Sequence, residues 1–384
     1  MSEMYTASRL AVWGRCKRAE FYRYVLGIQT PSGPAAEFGK HTHGALEAWY
    51  RVWQAAADDG DTRSNHSGDI RLDAAFAAID EADTDELNKA RLRALIAAYH
   101  ARWGNEPWIV IGVEVEFRYW LGDIEVAGKI DAIIRDADGR YWIVEHKSST
   151  QDTSAGSPYW AKLALDTQIS IYVDGAAYGL DTEVAGCIYD VLKRPTHDLL
   201  KATPADQVEY TVGRGCSACG GSGGGKRGIV QGRGYLEVVF ASEVKRPECS
   251  DCKGTGWKCD DKGVPQAPRP YAKTRLADET IEEFGDRVAV EIASKPDDYL
   301  SRGVVVRLDS ELPKMRADLI ETVRSMRALA ALDLHPPSFG ACSMGREMCG
   351  FFTACSGQQS IDDEHVFPRS GAHPELAASN NRAA

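Results

Sequence analysis

Asp131, Glu145 and Lys147, set in Gly128-Lys-Ile-Asp131 and Ile143-Val-Glu145-His-Lys147, have the residue types needed to work on a phosphodiester. Two carboxylates can chelate a hard divalent cation, and a neighbouring lysine can steer water and stabilise developing negative charge. The apolar, β-branched runs Ile124 to Ile134 and Tyr141 to Val144, joined by Asp136-Ala-Asp-Gly139-Arg140, read as a hairpin that would align them. If Ala137, Asp138 and Gly139 form a three-residue loop with Gly139 left-handed, residue 136 pairs with 140 and Asp131 falls opposite Glu145. Side-chain alternation then puts Lys147 on the same face. A two-residue loop would instead set Asp131 opposite His146 and break the constellation.

The elements around this hairpin follow from periodicity. Helices are expected over Ser8 to Leu26, with Ser8 as a cap, over Glu37 to Ala57 and over Leu72 to His100. Ile109 to Tyr119 reads as a strand, Tyr159 to Tyr178 as a helix and Glu183 to Leu192 as a returning strand. A helix from Asp278 to Ser294, a strand from Leu300 to Arg307 and a helix from Glu311 to Leu332 complete the pattern. This order implies an α/β class, with a mixed central sheet flanked by helices. Composition shifts after Pro204 into a glycine-rich stretch with paired cysteines, which looks inserted. The expected divisions are residues 1–203 and 269–357 for two parts of one core and 204–268 for the cysteine/glycine-rich insertion. Residues 358–384 form a polar tail, expected to be poorly ordered.

Composition limits the function classes. At 384 residues, 43% hydrophobic and 26% charged, the chain is an ordinary globular protein with room for a large core. It has no long apolar span, and Met1-Ser-Glu-Met-Tyr-Thr lacks the features of a signal peptide, so the expected location is cytoplasmic with no membrane partner. The net charge of -11 argues against binding a polyanion over the whole surface. Local basic groups remain: Arg9, Arg15, Lys17, Arg18 and Arg23 near the start, and Arg214, Lys226, Arg227 and Arg233 in the middle.

Ten cysteines without a secretion signal point to metal or redox chemistry more than to disulfides. Cys216-Ser-Ala-Cys219-Gly-Gly-Ser-Gly and Cys249-Ser-Asp-Cys252-Lys-Gly-Thr-Gly repeat one pattern, and two such pairs meet the need of Zn²⁺ for four thiolates. Gly234 to Ala241 between them is a candidate strand of a small β-ribbon. Cys16 near one end and Cys342, Cys349 and Cys355 near the other could clamp the termini around a 4Fe-4S cluster, the alternative being packed free thiols. Cys259 is an alternate zinc ligand, but it and Cys187 are expected to be free.

Two further spacings matter. Gly39-Lys-His-Thr-His43-Gly-Ala-Leu-Glu47 sets His43 and Glu47 four apart on one helical face, and Gln168 and Tyr172 are also four apart. Each is commonplace alone. In this order, Gly39/His43, Gly128/Asp131, Glu145/Lys147 and Gln168/Tyr172 resemble the motifs of the RecB-like branch of the PD-(D/E)XK nuclease superfamily, over most of residues 8 to 193. The terminal cysteines resemble those of its cluster-bearing members, including the CRISPR-associated RecB-like exonucleases and the AddB helicase-nuclease subunit, although the C-terminal spacing here is wider. The central pairs resemble the zinc-binding repeats of DnaJ-type cysteine-rich domains.

The resemblance implies a restriction-endonuclease-like core that hydrolyses DNA with Mg²⁺ or Mn²⁺. Asp131, Glu145 and the backbone carbonyl of His146 would be ligands, and the His43 imidazole would favour Mn²⁺. Lys147 would orient or help deprotonate the attacking water, and Gln168 and Tyr172 would position substrate. Glu114 and Glu116 lie on the preceding strand, within reach of the site. The implied activity is that of an exonuclease on single-stranded DNA ends, in recombination, repair, mobile-element processing or CRISPR adaptation. No Gly-x-x-x-x-Gly-Lys-[Ser/Thr] motif is present, so unwinding would fall to a helicase or recombination partner. The rival from another class is a non-catalytic DNA-binding or adaptor protein on a nuclease scaffold. A DnaJ-like co-chaperone fails, with only two repeats and no His-Pro-Asp hairpin. Whether the insertion grips DNA phosphates or is a metal-stapled unit that only packs stays open.

Overall fold

The computed structural model describes residues 3–58, 68–204, 207–208, 210, 214–219, 227–230, 238–241, 249–267, 269–270, 274–308, 310–344, 347–373 and 376. The elements run β1 (Met4–Thr6), α1 (Ala7–Arg15), α2 (Lys17–Glu20), α3 (Pro34–Asp58), α4 (Gly68–Asp80), α5 (Glu86–Trp103), β2 (Ile109–Leu121), β3 (Ile124–Arg135), β4 (Tyr141–Ser149), α6 (Pro158–Ala161), α7 (Thr167–Leu180) and β5 (Val184–Lys193). They continue with β6 (Arg227–Val230), β7 (Val238–Ala241), α8 (Ile281–Ser294), α9 (Pro296–Tyr299), β8 (Leu300–Val305), α10 (Glu311–Ala331), β9 (Ser343–Met344), β10 (Glu347–Met348) and α11 (Phe352–Cys355). Two compact units result: residues 1–197 with 285–384, and residues 198–284.

The larger unit is an α/β core around a mixed six-stranded sheet. Strand β2 runs antiparallel along one whole edge of β3. The other edge is shared: β1 lies parallel against Glu125–Ala127, and β4 lies antiparallel against Ala132–Arg135. Residues 128–131 therefore face a fork, with no strand partner on that edge among the described residues. Beyond Val144, β4 leaves β3 and continues parallel to β5 as far as Ser149, while β8 closes the sheet antiparallel to β5. The turn that sets this register is the three-residue one. Asp136 N donates to Arg140 O at 3.0 Å, Gly139 has φ +84, and Ala132 pairs with Val144, so Asp131 comes next, facing Glu145.

Helices α1, α7 and α10 cover one face through residues such as Leu10, Ile171, Val173 and Leu319. Helices α3 to α5 bury Trp49, Tyr50, Ile79, Leu95 and Tyr99. Among the described residues no helix is long and apolar enough to cross a membrane.

Three expected helices are broken, each at a residue that periodicity does not reveal. The helix over Ser8 to Leu26 begins one residue earlier, capped by Thr6, whose Oγ1 accepts from Arg9 N at 3.1 Å, and it breaks at the extended Cys16. It resumes as α2 and a π-helical turn, Phe21–Val25. Leu72 to His100 is two helices, because Asp85 accepts from Asn88 N at 2.7 Å and starts α5 afresh. Tyr159 to Tyr178 divides at Asp166, which accepts from Ile169 N at 3.2 Å as the cap of α7. Short polar side chains that bond nearby backbone amides compete with helix continuation in this way.

The expected poorly ordered tail is described as far as residue 373 and at 376, its other residues lying outside the described ones. Residues 356–373 pack onto the N-terminal region, with Gln29 N donating to Pro368 O and Ser370 N to Gly27 O, both at 2.9 Å. Phe367 is 2% exposed in a cluster with Cys16, Ala19, Ile28 and Phe351. One buried aromatic anchors this segment without the periodic face that a helix would show.

In the smaller unit, β6 and β7 form an antiparallel ribbon, Arg227 pairing with Ala241. Of the expected strand Gly234 to Ala241, Val238–Ala241 is β7, whereas residues 234–237, like Lys226 and Arg233, lie outside the described residues.

Candidate active site

The fork between β3 and β4 gathers the expected residues. Asp131 sits on β3 at the open edge, and its Oδ2 accepts from the backbone N of His146 at 2.8 Å. Its Oδ1 lies 3.3 Å from His43 Nδ1 on α3. Helix α3 can bring His43 this close because Gly39, one turn earlier, lies against Ser148 of β4. Glu145 is 3% exposed, and its Oε1 accepts from Lys147 Nζ and, at 2.8 Å, from Gln168 Nε2. Lys147 Nζ also donates to Gln168 Oε1 at 3.3 Å. Gln168 reaches them from the first turn of α7, so one helix end fixes both partners.

The electrostatics follow from this packing. Burial opposes charge on Asp131, but His43 and His146 outweigh it and hold its carboxyl well below the ordinary range. Burial pushes Glu145 up, and Lys147 offsets this only in part. The Lys147 ammonium is held charged against its own burial, by Glu145 first and Asp131 next. Glu114 is raised by burial and by the charges of Asp131 and Glu47, and it pairs with Lys129. It stands at φ +53, a left-handed conformation rare outside glycine, beside the fork.

Glu145 Oε2 is buried with no hydrogen-bond partner. Buried polar atoms are ordinarily satisfied, and Glu145, Asp131 and His43 are residue types that could hold a divalent metal. Tyr172 is 9% exposed, its ring edge-on to Phe117 at 5.7 Å, on the same helix as Gln168. Glu47 is engaged by Arg51 at 2.8 Å. The imidazole of His146 does not face solvent: it is 2% exposed and lies between Asp131 and Tyr99.

Tyr99, Asp190 and Arg302 adjoin the site and were not singled out by sequence. One signal was available: Asp190 interrupts the otherwise apolar run Ile188-Tyr-Asp190-Val-Leu192, and a charge in a buried strand needs a partner.

The cysteines form two groups. Cys216, Cys219, Cys249 and Cys252 have sulfurs within 4.8 Å of one another, the only group of three or more His, Cys, Asp or Glu donor atoms gathered this closely among the described residues. Gly256 N donates to Cys252 Sγ at 3.3 Å. The second group is more open. Cys16 is buried, and Cys349 and Cys355 pack against the same cluster. Backbone amides, chiefly that of Ser338 at 3.4 Å, outweigh burial and lower the Cys16 thiol's pKa. Burial first, and then the neighbouring Cys16, Cys349 and Cys342, raise that of Cys355. Cys187 is wholly buried and Cys259 half-buried; like the other eight cysteines, neither forms a disulfide.

A mixed sheet forked at an Asp, with Glu-x-Lys on the diverging strand, is the arrangement of a nuclease core. The chain belongs to the PD-(D/E)XK nuclease superfamily, which it matches over residues 5–221. A search of curated proteins gave no match. Among solved structures, the crystal structure of SSO0001 is 17% identical, with a TM-score of 0.19; the match covers 34% of this chain and 57% of that one.

Proposed function

We propose that this protein is a divalent-metal-dependent deoxyribonuclease of the RecB-like branch that degrades DNA from single-stranded ends. The observation that carries this reading is the bare Glu145 Oε2, buried beside Asp131 and His43 while Glu145 Oε1 is held by Lys147 and Gln168. Asp131, Glu145, His43 and the backbone carbonyl of His146 would hold Mg²⁺ or Mn²⁺, and the imidazole favours Mn²⁺. When bound, the cation supplies charge neutralisation at the phosphodiester and a more acidic water. Lys147, held by Glu145 and Gln168, would stabilise the developing negative charge. Gln168 fixes both groups, and Tyr172 supports the helix that carries it.

The two cysteine groups suit different metals. The pairs Cys216/Cys249 and Cys219/Cys252 stand 3.9 and 3.7 Å apart. A tetrahedron with Zn–S bonds of about 2.3 Å has edges of roughly 3.8 Å, so zinc fits a ribbon-like insertion over residues 204–268. Cys16, Cys342, Cys349 and Cys355 form a wider set, which suits a 4Fe-4S cluster joining the two ends of the core. Recombination, repair and mobile-element processing in the cytoplasm are the settings in which such an activity works, with a helicase partner where duplex must be opened.

The test is cleavage of end-labelled linear single-stranded DNA and of closed circular DNA, each with Mn²⁺, Mg²⁺ or EDTA. Loss of linear DNA with Mn²⁺ that is absent in Asp131→Asn and Lys147→Met is the expected result. Survival of linear DNA with every metal would overturn the reading, and unchanged turnover in both variants would favour a non-catalytic DNA-binding scaffold. Cutting of circles would make the enzyme an endonuclease.

A further inference from the structure

A row of polar residues crosses the sheet behind the site. Register pairs His146 of β4 with Asp190 of β5, and Asp190 with Arg302 of β8. Arg302 Nε and Nη2 donate to the two oxygens of Asp190 at 2.6 and 2.7 Å, and Nη1 donates to Glu106 at 2.8 Å. The guanidinium packs over Trp103 and Trp108, 4.2 and 4.7 Å from the ring centroids. Tyr99 of α5 donates to Asp190 Oδ2 at 2.8 Å, lies 2.9 Å from the hydroxyl of Tyr50, and meets His146 Nε2 at 3.2 Å. Asp190 and Tyr99 are wholly buried.

Such a row is a poor device for stability alone, since apolar residues of similar volume fill a core as well as a buried ion pair or better. Apolar residues could not present a side-chain N–H to Asp131 beside the backbone one. The carboxylate only accepts, so the His146 nitrogen facing it, Nδ1, carries a proton. Asp131 Oδ2 thus faces two donors of one residue, the backbone N at 2.8 Å and Nδ1 at 3.2 Å, while Oδ1 is turned toward His43.

We propose that His146 is a positioning residue: its imidazole, locked by Tyr99, Asp190 and Arg302, fixes the Asp131 carboxylate so that Oδ1 is presented to the divalent cation. This rests on the metal-dependent reading of the site and adds to it a supporting layer running to the far edge of the sheet. Partners that orient a ligand typically change metal affinity by roughly 10–100-fold.

The test titrates Mn²⁺ alone into the purified full-length protein by calorimetry, with Asp131→Asn defining the heat that belongs to this site. His146→Ala is expected to weaken that binding by roughly 10–100-fold and Tyr99→Phe by about tenfold. His146→Asn should recover most of the loss, because its Nδ2 can take the place of Nδ1. In turnover assays, kcat should fall while KM for DNA stays within about twofold. Tyr99→Phe keeps the ring and its packing, so it serves should His146→Ala fold poorly. Mn²⁺ affinity within twofold of wild type in both His146→Ala and Tyr99→Phe would overturn the positioning role alone. Absence of any Asp131-dependent Mn²⁺ binding in wild type would overturn the metal site itself, and this role with it.

Discussion

Gly39 of α3 lies directly against Ser148 of β4: a Cβ at Gly39 would stand 2.7 Å from Ser148 Oγ. The hydroxyl is the end of a rotatable side chain, so a single methyl can be accommodated by turning it aside. Gly39→Ala should therefore retain activity and gain up to about 1 kcal/mol of helix stability. Gly39→Leu must push α3 off the sheet and carry His43 away from Asp131, with activity expected to fall at least tenfold. Thermal melts and initial rates on the two variants separate the outcomes; equal activity in both would show that the approach of α3 is not critical.

Metal affinity should depend on pH through His43. Burial lowers its basicity, but the Asp131 carboxylate at 3.3 Å outweighs this and lifts its pKa above the ordinary 6.5. A cation must displace that proton, so Mn²⁺ affinity should rise with pH through a midpoint above 6.5 and then level off. Without metal the sign is opposite: the raised value contributes stability that is complete below 6.5 and is lost as pH climbs through it. His43→Gln should flatten both profiles, and a wild-type slope persisting in that variant would assign the titration elsewhere.

Phe367→Ala should loosen the C-terminal segment. The ring lies 6.4 Å from that of Phe351, in the cluster that includes Cys16. Removing a buried phenylalanine costs about 3–5 kcal/mol. The expected signature is faster proteolysis within residues 356–373 and, if the four cysteines hold a cluster, faster bleaching of its visible absorbance in air. Unchanged proteolysis would mean that the backbone pairing of residues 368 to 370 suffices.

Cys252→Ala should remove one metal equivalent per chain, read by elemental analysis, because three thiolates leave the tetrahedron open. Among the described residues of 198–284 the buried hydrophobic side chains are Cys216, Cys252 and Phe284, so loss of a metal there should make this unit protease-sensitive. The same variant should leave Asp131-dependent Mn²⁺ binding within twofold of wild type. A zinc content unchanged by the substitution would move the ligand set to include Cys259.

The hairpin register was legible because turn chemistry is local: Asp136, Gly139 and Arg140 specify it within five residues. The link between His43 and the hairpin was legible only through the order of motifs. Periodicity carried the strands β2 to β5 and β8 but ran straight through Cys16, Asp85 and Asp166, where a backbone break leaves the apolar spacing intact. The meeting of Tyr99, Asp190 and Arg302 was beyond reach for another reason. They lie on three separate elements, and nothing in their spacing shows that strand order will set them side by side.

Strand β8, which carries Arg302, is translated long after Lys147, yet it completes the buried row that ends at Asp131. At roughly 5–20 residues per second, the interval between the two lasts on the order of ten to thirty seconds. For the later part of it, from Asp190 to Arg302 112 residues on, the Asp190 carboxylate has been made but lacks its guanidinium partner. The buried row behind Asp131 is thus finished only once nearly the whole core has emerged.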